Sequence, residues 1–159
     1  MNQDCCFMRD KNWFRYRAAA IIVEDDCVLF VTNEKEDYYY SVGGGVHLNE
    51  TAEEAVLREV FEETGIPYEI DRLAVVHENF FEGSNALEGY TCHEIALYYL
   101  MKSRGTKELN SDSYSFHGVK EEMCWLPIND LDKYVAYPAF MKEYLQNPSD
   151  RVVHIVTRE

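Results

Sequence analysis

Residues 44–66 read GGVHLNETAEEAVLREVFEETGI, and this stretch decides how the rest of the chain is understood. Thr51 followed three positions later by Glu54 has the form of a capping box, in which the two side chains satisfy free N–H groups at a helix start. The segment AEEAVLREVFEE is rich in good helix formers and Gly65 supplies a stop, so the signals predict a helix over 51–64. At about 100° per residue, Glu62 falls about 60° to one side of Glu59 and Glu63 about 40° to the other, placing three carboxylates on one stripe. Glu59 and Glu63 form an i, i+4 like-charge pair. On an exposed helix such a pair costs about a few tenths of a kcal/mol, and in a partly enclosed site more.

Ala52, Ala55 and Val56 continue the stripe backwards as small apolar surface suited to packing on a sheet. Carboxylates beside a buried seam need partners. The only basic side chain of the helix is Arg58, four residues before Glu62, and one guanidinium cannot neutralise three carboxylates. Hard oxygen ligands in that number suit Mg²⁺ or Mn²⁺. A Glu-rich helix is more often a solvated face, so the helix by itself leaves both readings open.

The wider spacing decides between them. Gly44, Glu50, Arg58, Glu59, Val60, Glu62, Glu63, Gly65 and Ile66 fill every specified position of G-x5-E-x7-R-E-U-x-E-E-x-G-U, where U is a bulky aliphatic residue. In this the chain resembles the Nudix (MutT-like) hydrolase family. Seven fixed identities at an average usage of roughly 7% each coincide on the order of once in 10⁸ placements. Val42 and Asn49 depart from the proline and glycine common in relatives, and Gly45 replaces an often polar residue.

The resemblance implies an α/β fold: a Nudix-type α/β/α sandwich with a mixed β-sheet and a loop-helix-loop box at 44–66. It implies a Mg²⁺-dependent pyrophosphohydrolase, with Mn²⁺ as a substitute, cleaving a nucleoside diphosphate linked to another moiety by water attack on phosphorus. The residues it implicates in catalysis are Glu50, Arg58, Glu59, Glu62 and Glu63. Glu59, Glu62 and Glu63 would hold the metal beside the backbone of Gly44, Arg58 would orient a glutamate, and Glu50 would support the metal or its waters. Most of the rate enhancement would then be electrostatic and positional. The alternative is a non-catalytic Nudix domain that binds a nucleotide as a sensor; the intact set of glutamates speaks against it.

Outward from the box, 16–23 and 27–32 read as a β-hairpin around the acidic turn Glu24–Asp26, and 38–42 as a short aromatic strand. Further strands are expected at 68–81, 92–101, 122–127 and 152–156, with a helix over 129–146. The polar stretch 102–120 lacks periodicity and reads as a mobile lid or a partly disordered segment. With no repeat or linker, 1–159 is read as one domain whose first residues, 1–14, form a leader.

Fifteen basic against 29 acidic side chains give a net charge of −14, which disfavours grip on a nucleic-acid polymer or an anionic membrane surface. At 47% hydrophobic the chain can bury a sizeable core. No apolar run reaches 18 residues, and the start lacks the order of a secretory signal. Five cysteines without C-x-x-C spacing, Cys5 and Cys6 in the polar leader among them, read as reduced thiols of a cytoplasmic protein. The expected partner is a small nucleotide-type substrate. Dimerisation, common in the family, fits the aromatic content.

Outside the box, Arg15 and Arg17 are candidates for holding substrate phosphates, and Tyr40, within Tyr38–Tyr40, for stacking on a base. Glu121 and Glu122 fall where many relatives place an extra carboxylate, with Glu122 assigned to the substrate site. Glu94, in an apolar strand, needs a partner, and Glu78 has similar status. His77, His93, His117 and His154 lack zinc-motif spacing and His47 sits at an unspecified position of the box, so they read as structural or, at most, substrate-adjacent.

Overall fold

Three alanines in a row, Ala18–Ala20, mark where helices pack on both faces of the central sheet. The computed structural model describes residues 2–115 and 118–159; His117 lies outside them. In chain order the elements are β1 (Cys6–Arg9), β2 (Asn12–Ile21), β3 (Val23–Glu24), β4 (Cys27–Asn33), β5 (Tyr39–Gly45), α1 (Ala52–Thr64), β6 (Ile70–Glu82), β7 (Thr91–Met101), β8 (Glu121–Pro127), β9 (Ala136–Tyr137), α2 (Met141–Gln146) and β10 (Val153–Arg158). Among the described residues the strands follow the order β10-β6-β7-β2-β5-β4-β3, with β1 on β2, β8 on β4 and β9 on β5. β2 runs parallel to β7 and β6 to β10, whereas β6–β7 and β2–β5 are antiparallel, so the sheet is mixed.

Strand alternation divides the core in two. Ala18, Ala20 and Ile22 join Val42, Val46 and the α1 residues Ala55, Val56 and Val60 in one cluster. Ala19 and Ile21 join Phe30, Val75, Leu131, Met141 and the α2 residue Tyr144 in the other. A helix on each side of one sheet is the expected α/β/α arrangement. Among the described residues no helix is long and apolar enough to cross a membrane.

The leader joins the sheet: β1 pairs with β2, Cys5 N–H donates to Val46 O at 2.8 Å, and Leu48 N–H donates to Gln3 O at 2.7 Å. Two expectations are corrected. The helix expected over 129–146 is instead a 3₁₀ segment (Ile128–Lys133), β9 and the six-residue α2. Pro138 accounts for this, since it has no N–H to donate and its ring clashes with the preceding helical turn. The described part of 102–120 is a strap rather than a lid. Asn110 N–H donates to Thr64 O at 2.8 Å, and Trp125 Nε1 donates to Lys107 O at 3.0 Å.

The strap also satisfies a buried carboxylate on β3. Glu24, 2% exposed, accepts from the Ser103 hydroxyl and from the N–H groups of Arg104 and Gly105. Burial pushes this carboxyl up, but those donors outweigh it and hold Glu24 below its ordinary 4.5. A depressed folded value means the contribution to stability is full above the unfolded value and lost as pH falls through the folded one. Glu24→Gln should therefore lower stability at pH 7 by about 1–3 kcal/mol. The difference from wild type should shrink as pH falls below 4.5, which urea midpoints at neutral and acid pH would measure.

Candidate functional site

The helix start forms as expected. The Thr51 hydroxyl accepts from Glu54 N–H at 3.1 Å, the Glu54 carboxylate accepts from Thr51 N–H at 3.1 Å, and Gly65 ends the helix at φ 73°. Because α1 buries Ala52, Ala55, Val56 and Val60 against the sheet, its carboxylates are carried to the end of β5.

Arg58 organises this junction. Its Nε donates to Glu50 Oε2 at 2.9 Å and Nη2 to Glu50 Oε1 at 3.0 Å, a two-pronged pairing a lysine cannot make. Nη1 donates to Glu59 Oε1 at 2.7 Å, Nη2 also donates to Gly45 O at 3.1 Å, and Glu62 lies 3.5 Å from Nη1. The Arg58 hydrogen bonds, opposed by burial and aided by the His47 N–H, hold the Glu50 carboxyl at about 2. His47 itself sits 3.3 Å from Asp4 of the leader.

Glu63 is 5% exposed and accepts from Gly43 N–H at 2.9 Å. Burial, then the charges of Glu121 and Glu59, push its carboxyl well above the ordinary value, against the opposing Arg17. Burial likewise raises Glu59, against Arg58. Glu62 is the exposed member of the three, at 56%. Gly44 lies so close to Glu59 that a Cβ there would meet Oε1 at 2.5 Å and push that carboxylate aside.

The structure redistributes the candidates outside the box. Glu122 points to solvent on β8, while its neighbour Glu121 is buried and faces Glu63 electrostatically. Tyr40 does not offer its hydroxyl to a ligand: it donates to Glu121 Oε2 at 2.8 Å and accepts from Asn33 Nδ2 at 3.3 Å. Burial and the Glu121 carboxylate raise this phenol, so it is a donor at neutral pH. Arg15 and Arg17 are committed internally because alternation on β2 sends both to the same face. Arg15 donates through Nε and Nη2 to Glu94 Oε2, and Arg17, 7% exposed, donates to Ser41 Oγ at 2.9 Å and Ser41 O at 2.8 Å. Glu94 thus has its partner: burial raises its carboxyl, but Arg15 and Arg17 outweigh that and hold it low. Glu78 pairs with His154 at 2.6 Å on the edge strand. His77 is buried, its Nε2 at 2.9 Å from Thr157 Oγ1.

Ser111 and Ser113 belong to no sequence motif, yet both reach the site. Ser111 Oγ donates to Glu63 O at 2.6 Å, and Ser113 Oγ donates to Glu121 Oε1 at 2.7 Å. Their only signal in the sequence is a polar run with no periodicity.

The donor set suits a hard divalent cation: Glu59, Glu62, Glu63 and Glu121 with the backbone of Gly44, in a setting where burial, and for Glu63 the charges of Glu121 and Glu59, raise Glu59 and Glu63. Among the described residues no three Asp, Glu, His or Cys side chains stand ready-made as a cation cage. Glu59 and Glu62 lean towards Arg58, and Glu63 bonds Gly43 N–H.

Comparison with known proteins bears on the family and the fold. Residues 13–147 match the family model of the NUDIX domain. A MutT-like protein of Streptomyces ambofaciens is 40% identical over 70 residues, which span 43% of this chain and 46% of that protein, under half its length. The fold is shared with a MutT NUDIX hydrolase from Burkholderia pseudomallei: TM-score 0.63 and 24% identity over 86% of this chain and 98% of that one. It is shared too with an ADP-ribose pyrophosphatase from Streptococcus suis: TM-score 0.57 and 15% identity over 88% and 98%.

Proposed function

The chain belongs to the NUDIX domain family of hydrolases, and from that premise we propose that it is a divalent-metal-dependent pyrophosphohydrolase acting on a nucleoside diphosphate linked to another moiety. The observation that carries this reading is the buried carboxylate group at the end of α1, where Glu63 lies under the like charges of Glu59 and Glu121. Such crowding is unfavourable without a cation and favourable with one. Glu59, Glu62 and Glu63, with the backbone of Gly44, would hold the metal, and Mg²⁺ is the expected ion, with Mn²⁺ as substitute. Bound there, the metal would neutralise phosphate oxygens and lower the pKa of a water.

The chain's own residues supply the order. Arg58 fixes Glu59 and the box loop together through Glu50 and Gly45 O, so the ligands keep one spacing while substrate enters. Glu63, held by Gly43 N–H, stays on the sheet side, and Glu62 faces solvent, from which water and substrate arrive. The negative field of the chain is consistent with a phosphate substrate that arrives together with its metal. The substrate is read as a small nucleotide-type molecule, and the five free thiols fit a cytoplasmic setting.

Phosphate release with Mg²⁺ across nucleoside triphosphates, nucleotide sugars, ADP-ribose and dinucleoside polyphosphates tests the reading, and turnover of none would end it. Gly44→Ala sharpens the test. Its methyl group would displace the Glu59 carboxylate, so turnover should fall about 10²-fold while the fold persists by circular dichroism.

A further inference from the structure

Two carboxylates of the site come from elements far apart in the chain: Glu63 from α1 and Glu121 from the start of β8. β8 is held on β4 by a pairing that includes Asn33 with Glu121, and α1 packs on the same sheet, but the like charges of the two carboxylates oppose close approach. The strap that precedes β8 ties the two together directly. Asn110 N–H donates to Thr64 O at 2.8 Å, and Ser111 Oγ donates to Glu63 O at 2.6 Å, so the strap grips the last turn of α1. Two residues later it grips β8: Glu121 N–H donates to Ser113 O at 2.9 Å, and Ser113 Oγ donates to Glu121 Oε1 at 2.7 Å. The other carboxylate oxygen, Oε2, accepts from Tyr40 Oη at 2.8 Å. Tyr40 is itself steadied by Asn33 Nδ2.

From these contacts we infer that the Asn110–Ser113 strap is a spacer between Glu63 and Glu121, and that Ser113 and Tyr40 are positioning residues that aim the Glu121 carboxylate at the metal-binding glutamates. The inference rests on the metal-dependent reading above. Two neutral hydroxyl donors occupy one oxygen each, which fixes the plane of the carboxylate while leaving its charge intact and further lone pairs free to coordinate. A cation partner at either oxygen would have cancelled that charge. The hydroxyls therefore orient Glu121 without competing with a metal, in the manner of the outer partners that orient metal ligands elsewhere.

The test measures Mn²⁺ binding, by the electron paramagnetic resonance signal of the free ion, alongside kcat and KM with Mg²⁺. Tyr40→Phe and Ser113→Ala should each weaken Mn²⁺ binding and lower kcat about 10-fold, with KM within about 2-fold of wild type. Ser113→Thr, which keeps the hydroxyl, should recover most of the loss. In a Glu121→Gln background, Tyr40→Phe should cost less than about 2-fold more, because the group it aims is already disabled. A purely structural role would not show that dependence on Glu121. The proposal is overturned if wild type turns over substrate and loses activity in Glu63→Gln, while Tyr40→Phe and Ser113→Ala bind Mn²⁺ and turn over as wild type does. A wild type that neither binds Mn²⁺ nor hydrolyses any substrate overturns the functional reading, and the proposal with it.

Discussion

Glu63→Gln should lower turnover by about 10²–10³-fold or more while leaving the protein at least as stable as wild type in the absence of metal. The two halves of this expectation have one cause. Glu63 is buried at the end of α1, under the like charges of Glu59 and Glu121, relieved by the charge of Arg17 and the N–H of Gly43. A glutamine has the same shape and can still accept from Gly43 N–H, but it carries no charge to desolvate, so the fold gains where the site loses. Replacing an ordinary buried hydrogen-bonding carboxylate would instead destabilise. Thermal unfolding in a chelator and again in Mg²⁺ separates the cases. Wild type should gain stability from the ion and Glu63→Gln should gain little, since only a bound ion shifts the melting point by mass action. A marked loss of stability in chelator, or full activity, would contradict the assignment of Glu63 as a functional carboxylate.

The second large effect belongs to Arg58. Arg58→Ala removes the donor to both oxygens of Glu50, to Glu59 and to Gly45 O, and leaves two largely buried carboxylates facing one another across the vacated space. Breaking a fully buried pair in this way costs about 3–5 kcal/mol, and the 22% exposure of Arg58 reduces the expectation to about 2–3 kcal/mol. Turnover should fall about 10²-fold as Glu59 loses its anchor. Arg58→Lys should recover charge but not the two-pronged geometry, giving an intermediate stability and little activity. Comparison of Arg58→Ala, Glu50→Gln and the double variant in urea should reveal a coupling of about 1–3 kcal/mol. Additive losses would show that the pair does not act as a unit.

What could be read in the sequence, and what could not, divides along the distance over which each signal acts. The capping box at Thr51 and the αL stop at Gly65 are set by neighbours within about one or two helical turns, and both stand in the structure as expected. Burial divides the glutamates: Glu63 lies buried on the sheet side while Glu62 is exposed. The two-sided burial of β2 follows from alternation in the same way. Pro138 is the local signal against a continuous helix over 129–146. The contacts invisible to local reading are those between distant segments. Tyr40 and Glu121 are 81 positions apart, and a tyrosine before a glycine loop reads equally well as a stacking platform or as a hydroxyl donor. Glu121 and Glu122 are adjacent and chemically identical, so only the pairing of β8 with β4 decides which of them turns inward. Arg15 and Arg17 look available in a basic leader because their acceptors, Glu94 and Ser41, arrive from β7 and β5. Ser111 and Ser113 lie in a polar run that, by composition, resembles a lid; their hydroxyls meet Glu63 and Glu121 only once α1 and β8 are in place.

Hydrolysis in ¹⁸O-labelled water, followed for one turned-over nucleoside diphosphate derivative in a Mg²⁺ titration of wild type and Glu63→Gln, tests the central claim most directly. Attack by water at phosphorus under control of the α1 glutamates predicts one ¹⁸O atom in a phosphate group of the products, a wild-type rate that rises from zero with Mg²⁺, and almost no rate in Glu63→Gln. Equal rates in the two proteins, or a wild-type rate indifferent to divalent metal, would contradict it.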